Sequence, residues 1–347
     1  MSESEHSIDG YDYPLPEERI AQQPLAERDA SRLMVLERAS GTLSHRLFRE
    51  LPELLRPGDL VVTNRSRVFP ARLLARRASG GAVEVLLVRP RTDELWEAML
   101  RPARKLPPGS EVEVAPGFRV RVEPGGSGAV RLVRLLTEEG APAAAIERHG
   151  HVPLPPYIRR PDSVADRERY QTVFAREKGS VAAPTAGLHF TEGLLERLAA
   201  RGVETASLLL HVGPGTFRPV EVQDVRQHRV AAERFTVPAE TAAAVERARA
   251  ERRRVVAVGT TVTRALESAA GGDGTVRAGE SETSLVIVPG FRFRVVGALV
   301  TNFHLPRSSL LLLVAAFAGR ERILSAYAQA VAQGYRFYSY GDAMLLV

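Results

Sequence analysis

The feature that most constrains this chain is a change of period in its middle. From about Arg67 to Pro153, apolar and polar residues alternate in AVEVLLVR (82–89), ELWEAML (94–100), SEVEVA (110–115), FRVRVEP (118–124) and AVRLVRLL (129–136). Gly-Gly, Pro-Pro-Gly, Pro-Gly and Pro-Gly-Gly-Ser-Gly turns separate these runs. A period of two means strands with one buried face, and short strands at this spacing predict a small antiparallel β-barrel. HVPLPPYIRRP (151–161) is stiff and proline-rich and reads as the exit linker.

On both sides of this block the pattern is α/β. RRVVAVG (253–259) reads as a buried strand, and TTVTRALESAA (260–270) as a helix opening on a Thr cap. PAETAAAVERARAERR (238–253) has apolar positions at helical spacing. SLVIVP and FRVVGALVTNF read as further strands, the latter with FRFRVVGALV possible as one long strand. SSLLLLVAAFAG and ERILSAYAQAVAQG read as consecutive helices stopped by Gly319 and Gly334. Alternating strands and helices predict a layered α/β core. The expected architecture is a discontinuous α/β catalytic core, residues 1–66 and 154–347, interrupted by an inserted barrel, residues 67–153.

A chain of 347 residues that is 44% hydrophobic and 25% charged can build such a core. The apolar run LLLLVAAFA (310–318) is about half the length of a membrane span, so a buried helix is expected and no membrane partner. MSESEHSIDG lacks an apolar targeting region, and Cys is absent. Thiol nucleophiles, zinc–cysteine sites and disulfides are thereby excluded, and a cytoplasmic location is expected. The net charge is +6, with Lys105 and Lys178 the only lysines. The 67–153 stretch carries 14 basic and 10 acidic residues. Arg-rich surfaces suit an RNA partner, although a GC-rich genome or heat adaptation gives the same bias.

No G-x-S-x-G, P-loop, H-E-x-x-H or strand-borne G-x-G-x-x-G occurs, which removes the common hydrolase, NTPase, zincin and dinucleotide readings. What remains is a set of small-residue loops at element ends. APTAGLHF carries Thr185, Gly187 and His189. LLLHVGPGTFRPV carries His211 into a turn with Gly213, Gly215 and Thr216. VAVGTTVTRALES carries Gly259, Thr260 and Thr261 at a helix start that favours an anion, with Arg264 and Glu267 placed to face the same ligand. LVTNFHLPRSSL places Asn302 and His304 at a strand's carboxyl end, where open α/β sheets bind ligands. YRFYSYGDAMLL ends in Tyr340 and Asp342 after a run of aromatics that could stack a base. Taken singly, a packed core histidine, a tight turn or a capped helix explains each loop. His189, His211 and His304 lack metal-ligand spacing and no carboxylate recurs beside them, so acid/base and hydrogen-bonding roles are expected and no metal. His149 and His151 read as part of a turn.

These motifs match one family. The chain resembles the S-adenosylmethionine:tRNA ribosyltransferase-isomerases of queuosine biosynthesis. The likeness runs from YPLPEERIAQQPLAERDASRLMVL through RPGDLVVTNRSRVFPARL, GHVPLPPYIRRPDSVADRERYQTVFA, SVAAPTAGLHFT, LLHVGPGTFRPV, VVAVGTTVTRALES and LVTNFHLPRSSLLLLVAAFAG to YRFYSYGDAML. The resemblance implies an α/β core with an inserted barrel. It implies two substrates: S-adenosylmethionine, and tRNA with a GUN anticodon carrying 7-aminomethyl-7-deazaguanine at the wobble position. The ribosyl part of S-adenosylmethionine moves to the aminomethyl nitrogen and isomerises, giving epoxyqueuosine tRNA, adenine and methionine. No cofactor beyond S-adenosylmethionine is implied, and a monomer is expected.

That chemistry needs a base for the C5′ proton beside the sulfonium, and His189 or His211 is the expected base. Asn302, His304 and Asp342 are expected around the base or nucleoside, with Asp342 in the catalytic set. The Gly259–Thr261 helix start is expected at the methionine carboxylate. Arg67, from TNRSRV, and Tyr340 complete the expected substrate contacts. The chain departs from the family pattern at Arg65, at Val262 and at Ala231, which weighs against essential roles there. Two other readings are an inactive tRNA-binding relative and a methyl transferase, the latter disfavoured by the missing glycine-rich nucleotide loop.

Overall fold

The computed structural model describes residues 5–138, 140–213 and 219–347. Its centre is a mixed sheet whose middle is four parallel strands: β1 (Leu60–Asn64), β2 (Glu204–Leu210), β3 (Val255–Val258) and β4 (Ala298–Asn302). They lie in the order β2-β1-β3-β4, with Leu208 paired to Asn64, Ala257 to Val62 and Val258 to Val300. Glu233–Val237 and then Gly279–Thr283 extend the β2 side. Ala343–Leu346, Arg32–Leu36 and Leu43–Leu47 extend the β4 side.

The middle strands are near-continuous apolar runs because both faces are covered. Leu60, Val62, Ala257 and Leu299 join Val262, Leu266, Leu312 and Val314 of the helices on one face. Val61, Val256, Val258 and Val300 meet Phe48, Phe190, Leu194 and Leu198 on the other. The helices Ala239–Ala250, α1 (Thr260–Ala269), Ser309–Ala318 and Arg320–Ala332 form as their apolar spacing requires. Gly319 breaks the last two apart at φ +92°, and Gly334 follows the second at φ +73°. Among the described residues no helix is long and apolar enough to cross a membrane.

The period-two block closes into a six-stranded barrel. Val83, Val85, Leu87, Ala98, Leu100, Val120, Val122 and Val133 fill its interior. Five strands fall where alternation predicts them. The sixth, Arg72–Arg77, bridges Ala82–Pro90 and Glu111–Ala115. It was hidden because Leu74 faces outward at 48% exposure, which spoils the alternation. The outward arginines are largely compensated across strands: Arg72 to Glu84 at 2.7 Å, Arg134 to Glu123 at 2.9 Å, Arg119 to Glu111 at 3.2 Å. Arg101, Arg104 and Lys105 are exposed and form no ion pair among the described residues.

Three local expectations are corrected. Helix α1 opens on Gly259, at φ +92° with no side-chain cap, rather than on a Thr cap. SLVIVP is not a strand. Its segment stays irregular, with Ile287 buried and the Leu285 carbonyl accepting from Arg264 Nε at 2.8 Å, and the neighbouring polar GESET pairs at the sheet edge instead. In FRFRVVGALVTNF only Ala298–Asn302 is strand. The amides of Arg294, Val295 and Val296 donate to the Glu267 carboxylate at 2.9, 3.1 and 2.9 Å instead of to a ladder.

Candidate active site

The carboxyl ends of β1 to β4 bring the predicted loops to one edge of the sheet, where parallel sheets hold ligands. After β1 comes Asn64, whose side chain bridges the Leu210 carbonyl and amide, and then the fully buried Ser66. After β2 comes His211, after β3 the Gly259-Thr260-Thr261 start of α1, and after β4 Asn302 and His304. The short 3-10 helix Thr185–His189 packs beneath them. Gly259 donates to the Val300 carbonyl at 2.8 Å, and a Cβ on it would stand 3.6 Å from Ala186 Cβ. That distance is ordinary contact, and it is the positive φ that favours glycine. Gly187 lies against Thr172, which a Cβ would meet at 2.9 Å.

His189 is buried, stacked on Phe48 with ring centroids 5.0 Å apart. Its Nδ1 lies 2.8 Å from Ser31 Oγ and its Nε2 3.1 Å from Asn302 Nδ2. Burial, followed by the charges of Arg336 and Arg28, pushes its pKa down to about 3, so the ring is neutral. His304 is held at about 3 by burial as well, but it serves the other face of the sheet. Its Nε2 meets Thr301 Oγ1 at 2.8 Å, its amide donates to Tyr327 Oη, and its carbonyl accepts from Tyr13 Oη. His189 and His304 therefore do not converge.

His211 is half-buried, and its Nδ1 has no partner among the described residues. It crosses Gly179 so closely that a Cβ there would sit 2.5 Å from Cε1. Burial and then Arg234 lower its pKa, again favouring the neutral base form. The Gly213 amide donates to Glu233 Oε1 at 3.0 Å. Gly215 and Thr216 lie outside the described residues.

Helix α1 does not turn Arg264 and Glu267 to one ligand. Arg264 pairs with Glu233 through Nη1, while its Nη2 is buried without a partner among the described residues. Glu267 is fully occupied by the 294–296 amides. Thr260 and Thr261 are buried, and Thr261 Oγ1 is also unpartnered. Asp342 accepts the Arg32 amide through Oδ1 at 3.0 Å and the Arg336 amide through Oδ2 at 2.8 Å. Burial raises its pKa while those amides oppose the rise. Arg67 points to solvent from the strand Ser66–Val68.

Tyr340 donates to Asp166 Oδ1 at 2.9 Å. Burial opposes ionisation of Asp166, but the Arg160 fork, at 2.7 and 2.8 Å, and Ser163 hold its carboxyl well below the usual range. Tyr340, His189, Ser31 and Gly341 line a shallow cleft with Arg28 and Arg169. Both guanidiniums bind backbone carbonyls, Arg28 those of Leu188 and Glu168, Arg169 those of Ala26 and Leu25, and neither forms an ion pair among the described residues. Among the described residues no group of His, Asp and Glu is arranged to hold a metal ion.

The model of the family described as "Queuosine biosynthesis protein" matches residues 8–346. The S-adenosylmethionine:tRNA ribosyltransferase-isomerase of Thermus thermophilus is 56% identical, covering 98% of this chain and 99% of its own. That of Moorella thermoacetica is 52% identical over the same shares. The chain belongs to this family of transferase-isomerases. The crystal structure of the S-adenosylmethionine tRNA ribosyltransferase from Thermotoga maritima aligns at a TM-score of 0.56 with 38% identity, covering 97% of this chain and all of that one. The residues around these loops that the sequence alone did not single out are Arg28, Ser31, Arg169, Ser66 and Thr172. Arg28 and Ser31 stand in LAERDASRL, directly before a strand. Their clustering of cation and hydroxyl at an element start was the available signal.

Proposed function

We propose that this enzyme transfers and isomerises the ribosyl moiety of S-adenosylmethionine onto 7-aminomethyl-7-deazaguanine at the wobble position of tRNA with a GUN anticodon. The products are epoxyqueuosine tRNA, adenine and methionine. The observation that carries the reading is a set of buried polar atoms without partners among the described residues: Ser66 Oγ, His211 Nδ1, Thr261 Oγ1, Arg264 Nη2 and Asn302 Oδ1 near the strand ends, and Thr172 Oγ1 in the segment that packs on Gly187. Buried polar atoms are ordinarily satisfied, so a cluster of orphans marks where a polar ligand completes the bonding.

In this reading His211 is the base that takes the C5′ proton, because its Nδ1 is free and its ring neutral. The start of α1 with Thr261 and Arg264 Nη2 receives the methionine carboxylate. Asn302, Gly187, Gly213 and Gly259 line the nucleoside, and the cleft with Arg28, Arg169 and Tyr340 admits the anionic tRNA. Asp342 and His304 support the site through the backbone rather than touching substrate. Residues 67–153 act as an inserted unit that contacts tRNA, Arg101, Arg104 and Lys105 supplying phosphate contacts. The enzyme works in the cytoplasm as a monomer with no cofactor beyond its co-substrate.

The test is incubation with S-adenosylmethionine and an anticodon stem-loop bearing the aminomethyl base, followed by chromatography for free adenine. Adenine release that requires both components supports the reading. Its absence, or transfer of a methyl group, contradicts it.

A further inference from the structure

The hydrogen bonds around Asn302 have only one consistent polarity. The Tyr338 carbonyl can only accept, so the Asn302 atom 3.2 Å from it is the amide nitrogen. The same nitrogen lies 3.1 Å from His189 Nε2, which must therefore be the bare ring nitrogen. The ring proton then resides on Nδ1 and is donated to Ser31 Oγ at 2.8 Å. Ser31 passes its own hydroxyl proton to the Arg28 carbonyl at 3.4 Å. Flipping the Asn302 amide would set its oxygen against the Tyr338 carbonyl, which can only accept. One face of the amide is thus fully used, and its oxygen is left buried and, among the described residues, unpartnered, in a residue only 2% exposed.

We infer that Asn302 presents this fixed carbonyl oxygen to a neutral N–H or O–H donor of the substrate nucleoside, and that His189 and Ser31 are positioning residues that lock the amide rather than carriers of a proton. The inference rests on the proposed S-adenosylmethionine site. A neutral donor is favoured because the positive charges of Arg28 and Arg336 act on the neighbouring His189. The donor is a sugar hydroxyl or the exocyclic amine of the purine. His189, with both ring nitrogens engaged, has no lone pair left for a substrate proton.

The experiment is calorimetric titration of the full-length protein with S-adenosylmethionine, without tRNA. Asn302→Ala is expected to weaken binding at least tenfold. His189→Ala is expected to weaken it similarly, His189→Gln to recover most of that loss by restoring an acceptor, and the Asn302→Ala/His189→Ala pair to be no worse than either alone. Competition by S-adenosylhomocysteine, its inosine analogue and its 2′-deoxy and 3′-deoxy analogues identifies the donor. The analogue lacking it loses affinity for the wild type but not further for Asn302→Ala. Wild-type affinity in Asn302→Ala, or equal penalties for every analogue in both proteins, overturns the inference. If Asn302→Ala fails to fold, the His189→Gln against His189→Ala comparison decides, equal losses overturning it. In turnover assays, a pH–rate limb that His189→Gln abolishes would show His189 moving a proton and overturn the positioning role. If S-adenosylmethionine does not bind the free wild type, the titration is repeated with the anticodon stem-loop present, and no binding there would overturn the proposed function instead.

Discussion

Arg264 and Glu267 stand one turn apart on α1 and turn away from each other, Arg264 to Glu233 and Glu267 to three backbone amides of the 294–296 segment. Each side chain thus ties α1 to a different neighbouring segment. Removing Glu267 leaves three buried or half-buried amides unsatisfied, each worth about 1 kcal/mol or more. Glu267→Ala should therefore destabilise the fold by about 2–4 kcal/mol in chemical unfolding. Arg264→Met leaves the buried Glu233 carboxylate without its ion pair, so it should cost about 3–5 kcal/mol of stability and, in the folded fraction, weaken S-adenosylmethionine affinity by tenfold or more.

Asp342 ties the start of the Arg32–Leu36 strand to the 336–342 turn through two amide bonds. Asp342→Asn keeps one acceptor and turns an N–H donor toward the second amide. The expected loss is about 1–3 kcal/mol of stability, read from the unfolding midpoint. The same readout separates this role from chemistry, because the loss appears without substrate.

Acid sensitivity follows from His189 and His304, both pushed from 6.5 to about 3 in the folded chain. The unfolded chain binds their protons once the pH falls below about 6.5, while the folded chain does not until about 3. Stability should fall between those values by about 1.4 kcal/mol per pH unit for each histidine. Above pH 6.5 they contribute no slope. Asp342, raised by burial, opposes the trend at the acid end. Unfolding at pH 7 and pH 5 should give a shallower difference for His304→Gln than for the wild type.

Much of the fold was legible because each layer has its own period. Alternation in 82–136 marks the barrel, and the apolar runs at 60–64, 255–258 and 298–302 mark strands covered on both faces. Elements escaped where the pattern was broken by function or exposure: the strand Arg72–Arg77 by outward Leu74, the strand Gly279–Thr283 by its polar edge position. The loops bearing His189, His211 and Asn302 were visible as small-residue turns. Their partners Ser31, Arg28 and Thr172 were not, since they arrive from irregular segments brought close only by packing. For the same reason sequence spacing joined His304 to His189, while the strand's alternation sends Thr301 and Asn302 to opposite faces.

The barrel's compensated arginines predict a graded response to charge removal. Arg101, Arg104 and Lys105 lack acidic partners among the described residues, whereas Arg119 is paired with Glu111 at 3.2 Å. Replacing the three by Ala should weaken tRNA binding at 0.1 M salt and flatten the salt dependence by roughly one log–log unit per lost phosphate contact. Arg119→Ala should change the slope less.

The central claim is ribosyl transfer through a C5′ carbanion, with His211 as base. It is tested most directly by mass spectrometry of the stem-loop nucleoside formed from S-adenosylmethionine bearing two deuterons at C5′. The account predicts a ribosyl-derived adduct that has lost one deuteron to solvent, and no adduct with His211→Ala. A methyl adduct, or a ribosyl adduct retaining both deuterons, would contradict it.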